Sequence, residues 1–155
     1  YYVEKCRELN IGLSASIFEP SFLKFILAYY RAGKLPAGTM VKFYFGADNL
    51  SFGMPPTAAS LNGYLGMMGD CDLPWLVSSF GDDCVACGIA EEAIRLGGHV
   101  QVGLEPYNGD RTPSNVELVA EVVALAKQYD RPIATPAMAA KILNLPTYPV
   151  SYCAS

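Results

Sequence analysis

Residues 97–107, GGHVQVGLEPY, combine the residue types and the spacing best suited to chemistry in this chain. Successive side chains of a β-strand point to opposite faces. Val100, Val102 and Leu104 would therefore share one face, and His99, Gln101, Gly103 and Glu105 the other. The apolar face suits packed helices and the polar face suits a site. Parallel α/β folds place their chemistry at the C-terminal ends of strands, in the loops that follow. Glu105 stands at such an end, before Pro106 and a loop, and is the first candidate for the chemistry.

Other residues offer rival chemistries. Cys84-Val85-Ala86-Cys87 just after a strand, at the start of a helix, is a setting in which thiolate pKa values fall, as at a dithiol redox site. Cysteines three residues apart also serve as small packing residues against a sheet. Asp82 and Asp83 could form a carboxylate pair, but after Gly81 they serve more simply as helix caps. Ser78 and Ser79, near the end of their strand, could bond a substrate carboxylate, and Asp48, Asn49 and Asn108 lie in loops on the same side as candidate substrate contacts. Lys42 and Tyr44 share a strand face opposite Val41, Phe43 and Phe45, which makes them either a structural pair or a ligand contact.

The elements that must position these residues follow from hydrophobic period. Strand-then-helix units are predicted at 11–18 with 21–32, 40–45 with 57–68, 75–80 with 83–96, and 99–104 with 115–129. Gly33 and Gly97 can end helices, 55–57 (Pro-Pro-Thr) can start one, and Ser114 with Glu117 has the form of a capping box. Thr135 caps a last short helix over 136–143. Phe22, Phe25, Ile26 and Tyr29 fall at helical spacing and read as a packing stripe. Four consecutive βα units fit a doubly wound sheet or part of an eight-unit barrel. No Gly-rich phosphate fingerprint follows a first strand, which favours the barrel. The fold class is thus α/β, with residues 1–155 a single domain that forms about the last four units of a (β/α)8 barrel. Such a half barrel has two open strand edges, so it should need its other half. The opening YYVEKCRELN, without an initiator Met, reads as the end of a helix in a fragment.

Composition bounds the partners. The 155 residues are 52% hydrophobic and 17% charged, with a net charge of -4. Without a run of Lys or Arg, neither a nucleic-acid surface nor an anionic membrane is expected as partner. The apolar segment 22–30 contains Lys24 and is too short to cross a bilayer. Five cysteines without framework spacing, Cys6, Cys71, Cys84, Cys87 and Cys153, read as free thiols in a reducing compartment, and the chain as cytoplasmic.

The 97–107 segment resembles the β-keto acid cleavage enzyme family, whose usual pattern there is GGHVRVGLED. The similarity continues through 113–129 (PSNVELVAEVVALAKQY) and 131–145 (RPIATPAMAAKILNL), and upstream through Phe18-Glu19-Pro20 and 53–57, GMPPT. It covers nearly the whole chain. The resemblance implies a zinc-dependent TIM-barrel acyltransferase, commonly a homo-oligomer, that cleaves a β-keto acid with acetyl-CoA as co-substrate to give acetoacetate and a new CoA thioester. It places the family's metal-binding glutamate at Glu105, with two histidine ligands on an early strand that these residues do not contain. His99, the one histidine, begins its strand about six residues, or roughly 20 Å, from Glu105, and reads as a barrel-bottom residue and not as a ligand.

Two positions depart from the pattern. The family's arginine before the glutamate is Gln101, which can donate a hydrogen bond but carries no charge, and its aspartate after the glutamate is Pro106, which can do no acid–base work. Glu19 matches a family carboxylate near the missing arginine and becomes the candidate base. Two alternatives accompany this reading: a diverged relative that binds a small keto acid without turnover, and a dithiol oxidoreductase using Cys84 and Cys87.

Overall fold

Short apolar runs followed by amphipathic segments fold here as parallel strands with helices on one side. The computed structural model describes residues 1–145. Its elements are α1 (Tyr2–Glu8), β1 (Ser14–Ile17), α2 (Pro20–Arg31), β2 (Met40–Gly46), α3 (Ala58–Met68), β3 (Trp75–Phe80), α4 (Ile89–Arg95), β4 (His99–Val100), α5 (Asn115–Gln128) and α6 (Pro136–Ile142). All strand pairs are parallel and the sheet order is β1-β2-β3-β4. The arrangement is a partial sheet of βα units, compatible with part of a barrel. Among the described residues, no helix is long and apolar enough to cross a membrane.

Strand register sorts side chains into two faces. Ile17, Val41, Phe43, Phe45 and Val77 pack under Leu23 and Leu27 of α2, Leu61 and Tyr64 of α3, and Ile89, Ala90 and Ala93 of α4. Full burial of each large side chain contributes roughly 1.5–3 kcal/mol of transfer free energy. Tyr64 stacks on Phe43 at 4.8 Å and meets Phe45 edge-on at 5.9 Å. On the opposite face, Lys42 lies beside Leu76, which in turn lies beside His99, and Tyr44 lies beside Ser78.

Helix ends follow the capping logic. Thr57 and Thr135 accept from the N–H groups of Ser60 and Met138, and Ser114 with Glu117 completes a reciprocal capping box. Gly33 and Gly97 take positive φ just past α2 and α4.

Four expectations need correction. β1 spans only Ser14–Ile17; ahead of it Gly12 passes close against the backbone of Gly38, where a Cβ would stand 2.5 Å from the carbonyl oxygen. β4 stops at Val100. After one further rung, from Gln101 N–H to the Val77 carbonyl at 2.9 Å, the chain leaves β3 and returns where Gly81 N–H meets the Pro106 carbonyl. Leu104 is therefore 52% exposed and does not share the packed face with Val100 and Val102. α4 begins at Ile89 and not near Asp83, because Gly88, at φ 86°, breaks the chain between the 84–87 turn and the helix. The packing stripe of α2 is Leu23 and Leu27 with Ile26 partly buried beside them, while Phe22 and Phe25 are exposed, Phe25 pairing with Tyr29 on the outside, ring centroids 4.9 Å apart.

Candidate active site

The C-terminal end of the polar face gathers the candidate residues that geometry brings together. Register sets Tyr44 of β2 beside Ser78 of β3, and the Gln101–Val77 backbone bond sets Gln101 next in the row. Lys42, one layer lower, donates to the Tyr44 hydroxyl at 3.5 Å, and that hydroxyl donates to Gln101 Oε1 at 3.4 Å. Tyr44 is buried, and Lys42 and Gln101 are half-buried. Ser78 Oγ is fully buried without a hydrogen-bond partner.

Above this row lies an aromatic group that periodicity does not reveal. Phe18 follows β1 and stands 5.0 Å from Tyr44. Phe80 ends β3 and meets Tyr44 edge-on at 5.1 Å, while Phe52, from the loop after β2, packs edge-on to both Phe18 and Phe80. Phe18 and Phe80 are legible in the sequence as strand ends. Phe52 reaches them only because the loop folds back: Gly46 N–H donates to the Met54 carbonyl, and a Cβ on Gly46 would sit 2.0 Å from the Phe52 carbonyl oxygen.

Glu19 is the N-cap residue of α2, yet its side chain caps nothing there. Its Oε1 accepts the N–H of Gly53 at 3.0 Å, which ties the end of β1 to the loop after β2. Burial, with the Glu19 charge adding to it, pushes the Tyr64 hydroxyl up to about 12, so that phenol stays protonated.

The other predicted residues are dispersed. Ser79 alternates with Ser78 and faces the helices, where its side chain meets the Cys87 thiol. Glu105 is exposed in the 104–106 turn, and Pro106 beside it is buried. Asn108 is exposed, with its backbone N–H on the Asp82 carbonyl at 3.3 Å. His99 is half-buried at the far end of the sheet, where burial and the charge of Arg131 hold its pKa below the ordinary value. Asp48 and Asn49 occupy the loop that follows β2. The CxxC pair lies in the 84–87 turn and not on a helix start, and burial pushes the Cys84 thiol up to about 12. A catalytic thiol needs the opposite shift. Cys6, Cys71, Cys84 and Cys87 are free, and Cys153 lies outside the described residues.

Asp82 and Asp83 act as turn caps. Asp82 Oδ1 takes the Asp83 N–H, and Asp83 Oδ1 takes the N–H groups of Val85 and Ala86. Asp83 Oδ2 also receives Arg111 at 2.7 Å, and the same guanidinium reaches Glu121 at 2.6 Å. Arg111 carries no distinguishing mark in the sequence, where it is one cation in a polar loop. It fastens the segment carrying Glu105 to the end of β3. Among the described residues, no three His, Cys, Asp or Glu side chains stand together in a way that could hold a metal ion.

Comparison with known proteins adds a family to this geometry. The beta-keto acid cleavage enzyme model matches residues 1–145. The 3-oxoadipate:acetyl-CoA acetyltransferase of Cupriavidus necator is 32% identical over 136 residues, which cover 84% of this chain and 46% of that protein. The 3-keto-5-aminohexanoate cleavage enzymes of Acetoanaerobium sticklandii and Fusobacterium nucleatum are 48% and 49% identical over 61 residues, 37% of this chain and 22% of each relative. The chain thus spans less than half the length of these relatives.

Proposed function

The chain belongs to the beta-keto acid cleavage enzyme family, and from that premise we propose that the protein exchanges acyl groups between a β-keto acid and acetyl-CoA. The bond between the keto carbon and the adjacent methylene breaks. That methylene carbon receives the acetyl group of acetyl-CoA, giving acetoacetate, and the released acyl group passes to the CoA thiol as a new thioester. The continuous family match over residues 1–145, laid on a sheet with one apolar and one polar face, carries this reading. The first relative's name, an acetyl-CoA acetyltransferase acting on 3-oxoadipate, supports it.

In this reading the four strands are the last four units of a (β/α)8 barrel, with residues 1–155 within one domain of a homo-oligomeric cytoplasmic protein. Glu19 is the base, since Gly53 occupies only Oε1 and no bond among the described residues engages Oε2. Gln101 donates a hydrogen bond to the oxygen on which negative charge develops. Ser78 touches the substrate from the polar face and Asn108 contributes from the rim, while Ser79, buried on the helix side, takes no part.

Glu105 is the zinc ligand in the reading the resemblance supplies, and a zinc site takes at least three protein ligands. The described residues offer one exposed carboxylate and no donor cluster around it, so they do not make a zinc site by themselves.

The test is to incubate full-length protein with acetyl-CoA and a panel of β-keto acids, and to quantify acetoacetate and acyl-CoA by mass spectrometry. Equal amounts of the two products are expected from at least one acid. Buried Pro106 and uncharged Gln101 favour a second reading, binding without turnover, which predicts saturable keto-acid binding with neither product.

A further inference from the structure

The polar face carries more hydrogen-bond donors than acceptors, and we propose that Lys42, Gln101 and Ser78 form a subsite for the carboxylate of the substrate, with Lys42 supplying its positive charge. The proposal rests on the keto-acid reading above and names the residues that would hold the acid end. Lys42 is half-buried on a sheet face, a setting in which a cation normally finds a counter-charge. Among the described residues, the ion pairs are those of the N-terminus with Glu4, Lys5 with Glu8, Arg95 with Glu92, and Arg111 with Asp83 and Glu121. Lys42 takes part in none of them. In a chain of net charge -4, general basicity does not account for a cation held there.

Donation along this row runs in one direction. Lys42 gives to the Tyr44 hydroxyl, which gives to Gln101 Oε1. Each of these bonds takes one acceptor lone pair, and the donor capacity left over is the larger: two further N–H of the ammonium and both N–H of the Gln101 amide. Ser78 Oγ, with 0% exposure and no partner, adds a third donor in the same row. An ionised carboxylate is an acceptor-only group with about four lone-pair sites, the complement of this set. The two contacts that hold Lys42 and Gln101 are long, 3.5 and 3.4 Å, so turning these donors toward a ligand sacrifices little. Phe18 and Phe80 pack on the Tyr44 ring and Phe52 packs on both, so apolar surface flanks the row and lowers the local dielectric, which strengthens a charge-assisted bond. A single cation matches a carboxylate in charge, whereas a phosphate dianion would meet only half of its complement.

The test is calorimetric titration of the full-length protein with acetoacetate, with its neutral methyl ester, and with inorganic phosphate. Acetoacetate should bind at least tenfold more tightly than the ester, and phosphate should not compete with it. Lys42→Met should remove that advantage without changing ester affinity, and Lys42→Arg should keep most of it. Equal losses for acid and ester, or unchanged acetoacetate affinity in Lys42→Met, would overturn the subsite, as would phosphate displacing acetoacetate. Should Lys42→Met not fold, Gln101→Leu removes amide donors without touching the charge and should weaken acetoacetate severalfold more than the ester. Unchanged affinity there is equally fatal. A wild-type protein that makes no acetoacetate yet shows the Lys42-dependent preference would sink the exchange reaction and leave the subsite standing. Full turnover with a Lys42-independent affinity would do the reverse.

Discussion

The Glu19 carboxylate accepts the backbone N–H of Gly53 at 3.0 Å, so the proposed base also anchors the loop that carries Phe52. The two roles separate by substitution. In Glu19→Gln the side-chain oxygen can still accept from Gly53, while basicity is lost. Turnover should fall about 100-fold or more, as expected for removal of a general base, with little change in the thermal midpoint. Full turnover in Glu19→Gln would leave Glu19 a loop anchor only.

Glycine-to-alanine substitution should have opposite signs at two sites. At Gly46 the new Cβ would lie 2.0 Å from the Phe52 carbonyl oxygen, a backbone atom that must move. Destabilisation of about 1–3 kcal/mol is expected, the range for overpacking. At Gly63, inside α3, no atom lies within 4 Å of the added Cβ, and the helix gains up to about 1 kcal/mol. Urea unfolding of the two variants measures both. A Gly46→Ala protein as stable as wild type would contradict the folded-back loop.

Acid should loosen the link between the Glu105 loop and β3. Burial raises the Asp83 carboxyl, but Arg111 and the N–H groups of Ala86 and Val85 outweigh it and hold the pKa below the usual carboxylate range. A pKa depressed by folding contributes stability that is present above the unfolded value, about 3.9, and is lost as pH falls through the folded value. Unfolding free energies of wild type and Asp83→Asn should therefore converge as pH drops below about 4. Parallel curves would show that Asp83 contributes nothing through its charge.

Thiol labelling distinguishes structural from redox cysteines. With its thiol buried and pushed up to about 12, Cys84 should react with iodoacetamide at pH 8 far more slowly than half-exposed Cys6, and at an ordinary rate once unfolded. Fast native labelling, or a Cys84–Cys87 bridge under mild oxidant, would restore the dithiol reading.

How much of the molecule is legible in the sequence varies with how local the cause is. Hydrophobic period predicts β3 at its observed bounds and β2 to within one residue, because Gly and Pro punctuate these apolar runs on both sides. Alternation around Lys42 and Tyr44 correctly separates the two faces of β2. The same alternation overruns in β4, since side-chain pattern continues to Leu104 while backbone pairing depends on where β3 lies, a long-range matter. The CxxC turn reads as helix in the sequence because Gly88 acts through its φ, which composition does not display. In the site, Glu19 stands out as a carboxylate at a strand end. Its partner does not, since a backbone N–H supplied by a loop 34 residues away has no signature in residue type. Arg111 is hidden for a related reason: its significance lies in the two carboxylates that converge on it.

The strands lie side by side in the order in which they occur along the chain. During synthesis, each new strand therefore finds its neighbour already made, and never waits for one that has yet to leave the ribosome. Every βα unit docks on the unit before it, so the closures needed are short and sheet growth can keep pace with translation. An interruption between units would leave a sheet shorter by whole strands at one edge, without a gap in its middle.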